Sequence, residues 1–446
     1  MSRPSKVLSS RAVALIGLVA IMLLGRSTAP VSAQANIVPF FMPTPEVDNT
    51  VSSDVQSDRA GGLHIAFSSF SGVASDFPVY YGYCAGHCGV VQNWRVSVIG
   101  RRGFFGGYVR LALDPSGRPR MMWSYQKNAG DSGEYRYAEC DTECTNPASW
   151  RIVGVATTGD YAPDREFFAL DPVGRPRFVY NSDISAEAQA TYAFCDTNCT
   201  VAANWTRTRL NIGRLRTPQL RFTSAGQPRL MFVTEDLFVR YSVCDTNCNT
   251  ARSWSSGTLL SLGNSTGDFK LGLDSLNRPR LALYNGQKQQ LSYYWCNANC
   301  TGVAGWTGAP VGLPAKYGVD VDLALDGQHR PRLAYYIDTA PFALGYAACA
   351  ENCESAAASW KALIVETSNQ LDQRAPVLLI PGCSLQAWYP GQHPSLALDP
   401  QGRPFIGYDA RHLQGGSCSV RTDIQIVRFV APLGDQIAVY LPLTRR

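Results

Sequence analysis

The sequence predicts an all-β protein, a β-propeller of seven four-stranded antiparallel blades, with six blades as the alternative. Three observations predict this fold. A ten-residue phrase recurs along the chain, a cysteine pair and a tryptophan follow six of its copies, and no long stretch shows helical apolar periodicity. A unit of about fifty residues copied in tandem, with four strands in each copy, is typical of propeller blades.

The recurring phrase is clearest in residues 111–120, which read Leu-Ala-Leu-Asp-Pro-Ser-Gly-Arg-Pro-Arg. Further copies begin at residues 168, 220, 271, 323 and 396, and a degenerate copy occupies residues 57–64. We expect Asp114 to accept hydrogen bonds from the backbone of the following turn and Gly117 to supply a positive φ. Pro119 would begin the second strand where no ladder donor is needed. The phrase therefore predicts the hairpin between the first two strands of each blade.

The second recurring feature is a C-x-x-x-C pair followed by a tryptophan. In an exported chain, regular pairs of this kind indicate disulfides, and a tight turn between the third and fourth strands can bring the two Cα atoms within bridging range. The predicted pairs are Cys84–Cys88, Cys140–Cys144, Cys195–Cys199, Cys244–Cys248, Cys296–Cys300 and Cys349–Cys353. The remaining Cys383 and Cys418 are expected to pair with each other.

A metal site is the weaker interpretation of these turns. Each turn offers two thiols, which is half of a tetrahedral zinc site. The Asp-Thr-Asn sequence between Cys195 and Cys199 could hold calcium, but such residues more often form turns. We therefore predict neither a metal nor another cofactor.

The predicted domain is a single propeller over residues 36–446, with an insertion near 366–395 and a short tail at 436–446. Small residues such as Ala112 and Gly272 in the first strand suit the crowded propeller axis. The tryptophan suits the wide outer edge between diverging blades. Residues 37–41 could close the ring by pairing beside the seventh blade. The tail, apolar and then basic, fits either an export or surface tag or a last strand.

Residues 1–35 have the three-part layout of a secretory signal peptide, with basic Arg3, Lys6 and Arg11, an apolar run and small residues before Ala35. Cleavage would remove four basic residues and no acidic one, which lowers the formal charge from +5 to +1. A near-neutral chain attracts polyanions weakly, so we expect no nucleic-acid partner. No other segment is long and apolar enough to span a membrane. We expect a monomer that is secreted or held at the cell surface.

The loops opposite the repeated turns differ from blade to blade, as a surface specific for one ligand requires. Strand-entry residues and nearby aromatic residues are expected to surround the mouth of the central channel on that face. They are Asp54, Arg110, Glu166, Gln219, Lys270, Asp322, His393, Tyr108, Tyr161, Tyr317 and Trp388. Charged groups beside flat rings suit a glycan or a peptide. The repeated face is interpreted as scaffold.

The Asp-to-Gly hairpin turn before an outward strand resembles the blades of sialidase-like and NHL-like propellers. The resemblance covers nearly the whole chain after residue 35 and implies the propeller fold. A sialidase Asp-box reads S-x-D-x-G-x-x-W, whereas here Gly117 lies three residues after Asp114 and no tryptophan follows at the box position. The resemblance therefore identifies no catalytic residue.

Catalytic motifs of the nucleophile-elbow, zinc-protease, P-loop and dinucleotide-binding kinds are absent from the sequence. The leading hypothesis is an extracellular recognition or scaffold propeller that binds carbohydrate or protein at the non-repeated face. One alternative is a glycoside hydrolase or lyase acting on extracellular glycans; a hydrolase would need two carboxylates across a pocket. The second alternative is a structural envelope protein.

Overall fold

A computed structural model describes residues 39–46, 50–69, 77–103, 109–126, 133–158, 167–181, 189–263, 267–376, 382–417 and 422–430. Within these residues the chain forms strands, five single-turn 3₁₀ helices and one short α-helix. The strands form seven sheets of four, which we call blades 1 to 7 in chain order.

The blades take their strands consecutively along the chain, except that the two-residue strand β1 joins blade 7. Blade 1 comprises β2 (Thr50–Ser57), β3 (Leu63–Ser69), β4 (Pro78–Cys84) and β5 (Arg95–Arg101). Blade 2 comprises β6 (Arg110–Leu113), β7 (Pro119–Tyr125), β8 (Gly133–Glu139) and β9 (Arg151–Thr158). Blade 3 comprises β10 (Phe168–Leu170), β11 (Pro176–Asn181), β12 (Ala190–Phe194) and β13 (Thr206–Arg209). Blade 4 comprises β14 (Arg216–Phe222), β15 (Pro228–Val233), β16 (Phe238–Cys244) and β17 (Trp254–Ser261). Blade 5 comprises β18 (Asp268–Leu273), β19 (Pro279–Asn285), β20 (Gln290–Cys296) and β21 (Trp306–Pro310). Blade 6 comprises β22 (Tyr317–Leu325), β23 (Pro331–Ile337), β24 (Ala343–Glu351) and β25 (Ser359–Thr367). Blade 7 comprises β26 (Leu385–Leu398), β27 (Pro404–Gly415), β28 (Thr422–Val430) and β1 (Phe40–Phe41). The 3₁₀ helices are Val91–Asn93, Pro147–Ser149, Ala202–Asn204, Ala251–Ser253 and Val303–Gly305, and helix α1 is Ser368–Arg374.

The blades are arranged in a closed ring. Each innermost strand contacts the innermost strand of the next blade, in the order β2, β6, β10, β14, β18, β22 and β26, and β26 contacts β2 again. The second strands are apolar and buried on both faces, as in β3 and β11, because each blade is packed between two neighbours. The prediction of an all-β propeller with four-stranded antiparallel blades is confirmed.

The two ends of the described chain meet in blade 7. Strand β1 pairs antiparallel with β28, with Phe40 opposite Phe429 and Phe41 opposite Arg428. The predicted pairing of residues 37–41 beside this blade is therefore confirmed for Phe40 and Phe41. A blade that shares strands from both ends of the chain joins the last repeat to the first.

The repeated hairpin turn has the predicted chemistry. The Asp114 carboxylate accepts from the backbone N–H of Ser116 at 2.9 Å and of Arg118 at 3.0 Å. Gly117 has a φ of +79°, a region that residues with a Cβ rarely adopt. Pro119 is the first residue of β7, as predicted.

The repeated tryptophans fill the space between blades, as predicted. Trp150 of blade 2 packs edge-on against Tyr81 of blade 1 with ring centroids 5.1 Å apart. Trp205 and Tyr137 form the same contact between blades 3 and 2 at 5.5 Å. All six predicted C-x-x-x-C disulfides are formed. Cys383 is also disulfide-bonded, and its predicted partner Cys418 lies outside the described residues.

The insertion near 366–395 carries helix α1 and the long first part of β26. A capping box between Thr367 and Gln370 starts the helix. Trp388 is only 2% exposed, and its indole N–H donates to the carbonyl of Ala375 at 3.1 Å. The placement of Trp388 at the ligand-binding mouth is therefore wrong, because this ring holds the insertion against the core of blade 7.

The predicted signal peptide and the tail at 436–446 lie outside the described residues. Among the residues that are described, no helix has the length and apolar character needed to span a membrane.

Candidate functional site

A polar cavity of about 330 Å³ occupies the central channel, and all seven innermost strands contribute to its lining. The lining includes six residues with polar or charged side chains, from five blades: Asp54, Gln56, Arg221, Lys270, Asp322 and Ser395. Of the predicted ligand-binding residues, the structure brings Asp54, Lys270 and Asp322 together around this cavity.

One register position of the innermost strands, directly before the first residue of each repeat phrase, forms a ring of side chains. Its members are Asp54, Arg110, Phe167, Gln219, Lys270, Asp322 and Ser395. Two predicted members are therefore misplaced in register. Phe167 stands where Glu166 was expected, and Glu166 itself lies outside the described residues. Ser395, which directly precedes Leu396, stands where His393 was expected, and a register shift between Gln392 and Ser395 separates His393 from this position.

Four side chains of this ring each join their blade to the next one by accepting a backbone N–H. Asp54 of blade 1 accepts from the N–H of Leu111 in blade 2 at 2.7 Å. The side chains of Gln219 and Asp322 accept in the same way from Leu271 and Leu396 of their following blades, at 2.8 and 2.7 Å.

Ser395 completes the set by accepting from the N–H of Val55 at 2.9 Å, which connects blade 7 to blade 1. An innermost strand is a sheet edge, and its outward N–H groups need an acceptor when they are buried. The ring side chains supply these acceptors.

The charged members of the ring are also paired with one another. Arg110 lies 3.2 Å from Asp54 Oδ2, and the Lys270 ammonium lies 2.7 Å from Asp322 Oδ1. Both carboxylates are buried. Each acidic group is thus held by a cation and by a backbone N–H, so a structural role explains it fully; a direct role in ligand binding stays a prediction.

Two channel residues were missed by the sequence reasoning. At the position where the other blades have Ala112, Ala169, Gly272, Ala324 and Ala397, blade 1 has Gln56 and blade 4 has Arg221. Both line the central cavity; Gln56 Nε2 donates to Asp54 Oδ1 at 2.9 Å, and Arg221 donates to the carbonyl of Leu220 at 2.9 Å. The sequence signal that could have identified them is a large polar residue at a position where the other five blades have alanine or glycine.

The other predicted residues lie apart from the cavity lining or outside the described chain. His393 Nδ1 lies 2.8 Å from the buried Asp409 carboxylate, and its backbone N–H donates to Asp320 at 3.0 Å. Tyr317 begins β22 half-buried, 6.4 Å between ring centroids from Tyr335. Tyr108 and Tyr161, like Glu166, are outside the described residues. Within the described residues no cluster of three or more potential metal ligands occurs.

A second cavity, of about 990 Å³, opens on the repeated face between blades 1 and 2. We call it the blade 1–2 cleft; its lining includes Asp58, His64, Tyr81, Tyr83 and the turns of blade 2 at 115–119 and 141–145. The sequence interpretation treated this whole face as scaffold and did not anticipate it.

The base of the cleft is a hydrogen-bonded chain. His64 Nδ1 lies 2.6 Å from the Tyr81 hydroxyl, and His64 Nε2 lies 3.3 Å from Asp58 Oδ2. Burial lowers the pKa of His64 below 6.5, so the ring is neutral at pH 7. Because the Asp58 carboxylate can only accept, Nε2 carries the proton and Tyr81 donates to Nδ1. Burial also raises the pKa of Tyr81, which keeps its hydroxyl protonated.

No protein-family model matches the chain, and no curated protein matches its sequence. Solved structures do match. An ulvan lyase of polysaccharide lyase family 25 is 10% identical with a TM-score of 0.50, over 87% of this chain and 97% of that one. The NanB sialidase from Streptococcus pneumoniae is 8% identical with a TM-score of 0.44, over 90% and 71%. A protein of unknown function from Dyadobacter fermentans is 9% identical with a TM-score of 0.45, over 90% and 99%.

The chain has a propeller fold of four-stranded antiparallel blades, which matches the ulvan lyase at a TM-score of 0.50. The propeller fold that the resemblance implied is confirmed at that level. At identities near 10% a shared fold carries no catalytic residue from one protein to another. Function has to be argued from the channel and the cleft themselves.

Proposed function

We propose that the protein is a secreted, non-catalytic recognition propeller that binds an extracellular glycan in the mouth of its central channel. The observation that carries the proposal is the state of the channel carboxylates. Asp54 and Asp322 each accept a backbone N–H from the next blade and each pair with a cation, so neither is available as a general acid or base. A lining whose buried carboxylates are both paired suits recognition better than hydrolysis.

The dimensions and chemistry of the channel favour a sugar. A cavity of about 330 Å³ is at the small end of ligand sites, large enough for one or two sugar units. Arg221 and Gln56 extend into it where the other blades have alanine or glycine. A guanidinium and an amide can bond to sugar hydroxyl or carboxylate oxygens in fixed geometry. We therefore assign ligand contact to Arg221 and Gln56, with the charged ring as their support.

Secretion is supported by the cysteine chemistry. Short disulfides in six successive blades are stable only where the surroundings are oxidising, as outside the cell or in an export compartment. The predicted signal peptide in residues 1–35 fits the same route.

The test is a glycan-array screen of the oxidised chain from residue 36, followed by calorimetric titration with the glycan that binds. Arg221→Ala restores the residue found in four other blades, so it should fold normally. We expect it to weaken binding at least about tenfold, the effect of losing one charge-assisted hydrogen bond. Arg209→Ala, which removes an exposed arginine from the outer strand β13, is the matched control and should bind as the wild type does.

Two results would contradict the proposal. Undiminished affinity in Arg221→Ala would place the ligand elsewhere. Release of reducing ends or unsaturated sugar products by the wild-type chain would show the hydrolase or lyase predicted as the alternative.

A further inference from the structure

The repeated face is built around aspartate–arginine contacts that blade 1 lacks. In blade 2, Asp114 Oδ2 lies 2.6 Å from Arg118 Nε and 3.2 Å from Arg120 Nη2. Blades 3, 5 and 6 repeat this arrangement of one carboxylate and two guanidinium groups. Blade 7 keeps the first arginine, and blade 4 keeps the second. Every blade from 2 to 7 therefore fills this position with at least one guanidinium of its own.

The second arginine also anchors the cysteine turn. Arg120 Nη1 donates to the carbonyl of Cys140 at 2.6 Å, and its Nη2 lies 2.8 Å from Asp141. Its counterparts in blades 3 to 6 donate to the equivalent cysteine carbonyl. The site is thus shaped for a planar guanidinium, with acceptors on two sides.

In blade 1 three side chains of this network are replaced together. Gly62 stands in place of the first arginine, His64 in place of the second, and Ala85 in place of the turn aspartate Asp141. The blade 1–2 cleft lies at this position. A Cβ on Gly62 would lie 2.6 Å from Asp58 Oδ2 and 3.0 Å from the Tyr83 hydroxyl, so a side chain at that position would have to displace these two groups.

The aspartate of blade 1 nevertheless remains in place. Asp58 Oδ1 accepts from Ala60 and Gly62 of its own turn, both at 2.8 Å, as the other hairpin aspartates do. Within the described residues, the partner of Oδ2 is the neutral His64 at 3.3 Å, where four other blades have two cations. The Asp58 side chain is 14% exposed, against 0–5% for Asp114, Asp171, Asp274, Asp326 and Asp399. Among the described residues, Asp58 is therefore the hairpin carboxylate that is most exposed to solvent and that pairs with no arginine.

The walls of the cleft add an aromatic face and a basic rim. The Tyr83 ring lies 4.8 Å from the His64 ring, beside the position of the missing first arginine. An aromatic face next to a carboxylate is a favourable setting for a guanidinium, which can stack and donate at once. At the rim, exposed Arg59 and Arg95 form no ion pair with any described residue. They would pair with acidic groups that flank a bound arginine.

We propose that the blade 1–2 cleft binds an arginine side chain of an extracellular protein or peptide, flanked by acidic residues, in the position that the chain's own repeat arginines occupy in the other blades. The ligand guanidinium pairs with Asp58 Oδ2 and stacks on Tyr83, and its acidic neighbours contact Arg59 and Arg95. This site is on the face opposite the channel mouth and is independent of the glycan site proposed above.

The proposal is tested by calorimetric titration of the oxidised chain from residue 36 with the tripeptide Ac-Asp-Arg-Asp-NH₂ and with its citrulline counterpart. Citrulline keeps the shape of arginine but has no charge. We expect the arginine peptide to bind at least about tenfold more tightly than the citrulline peptide, since one charge-assisted contact is lost.

Three variants locate the binding. Asp58→Asn keeps the turn acceptor and should reduce the affinity for the arginine peptide at least about tenfold. His64→Arg restores the repeat residue and should block the site from within while the protein stays folded. Asp399→Asn changes the equivalent aspartate of blade 7, where Arg403 fills the site, and should leave binding unchanged. Equal affinities for the two peptides, binding of neither, or undiminished affinity in His64→Arg would overturn the proposal.

Discussion

Replacing Asp322 with alanine should destabilise the propeller strongly, because this residue connects three blades. Its carboxylate accepts from the N–H of Leu396 in blade 7 at 2.7 Å and lies 2.7 Å from the Lys270 ammonium of blade 5. The side chains of Asp322 and Lys270 are only 4% and 12% exposed. The alanine variant removes the acceptor of a buried N–H and the carboxylate that pairs with a largely buried ammonium.

The expected cost follows from these two losses. Removing one partner of a buried ion pair costs about 3–5 kcal/mol, and an unsatisfied buried N–H costs about 1–3 kcal/mol. The two figures overlap, and water in the channel can reach both groups, so we expect about 4 kcal/mol for Asp322→Ala. Asp322→Asn keeps an acceptor for the N–H and loses the charge, and should cost about 2 kcal/mol. Adding Lys270→Met to Asp322→Asn removes the buried ammonium that has lost this carboxylate and should recover part of the lost stability.

Equilibrium urea unfolding, followed by tryptophan fluorescence and checked for reversibility, measures these differences in the free energy of unfolding. Asp372→Ala, which removes an exposed carboxylate of helix α1, is the control and should change stability by less than about 0.5 kcal/mol. A cost below about 1 kcal/mol for Asp322→Ala, or equal costs for the alanine and asparagine variants, would refute the interblade role of this ring.

Three further predictions concern the scaffold. Arg280→Met should cost about 3–5 kcal/mol because its side chain is 0% exposed and ion-paired, whereas Arg118→Met, 45% exposed, should cost less than about 1 kcal/mol; similar urea midpoints for the two variants would contradict this. Burial lowers the pKa of His64 below 6.5, so the unfolded chain takes up a proton first as the pH falls, and stability should decline below about pH 6.5. His64→Gln should flatten that decline between pH 7.5 and 5.5, and an unchanged slope would show that His64 is not its source. Replacing both Cys244 and Cys248 with serine should cost about 2 kcal/mol, the loop-closure value for so short a ring, and no change in the urea midpoint would contradict the chain-entropy reasoning.

The scaffold could be predicted from the sequence because each of its parts is local and repeated. Asp114, Gly117 and Pro119 specify a hairpin within six residues, and every further copy of the phrase supports the same interpretation. The cysteine pairs are equally local. A tight turn fixes the distance between two residues four apart, whatever the rest of the chain does.

The ring of channel residues was harder to predict because it depends on register. Ser395, the residue directly before the phrase that begins at Leu396, takes the place expected for His393, which lies two residues earlier within a register shift of β26. The partner of Asp54 is a backbone N–H 57 residues away in the next blade, which no local pattern encodes. Trp388 was predicted at the mouth of the channel, but it is buried. Its burial depends on how the insertion packs against blade 7, which no local pattern encodes either.

The sequence does carry a signal for the blade 1–2 cleft, which is the degenerate first copy of the repeat phrase at residues 57–64. The first copy of the phrase has Gly62 and His64 where most other copies have arginine, and its cysteine turn has Ala85 where blades 2, 3 and 4 have aspartate. In a repeat protein, a copy that differs from the others at several contacting positions has lost a contact that stabilises the other copies. Gln56 and Arg221 depart from the repeat in the channel in the same manner.

The central claim is that ligands bind where the chain departs from its own repeat. Its most direct test is the affinity of a chain carrying Gln56→Ala, Arg221→Ala and His64→Arg, which returns each position to the repeat residue. We predict a folded protein, at least as resistant to urea as the wild type, that has lost measurable affinity for both the channel glycan and the arginine tripeptide. Wild-type affinity for either ligand in this variant would contradict the claim for that site.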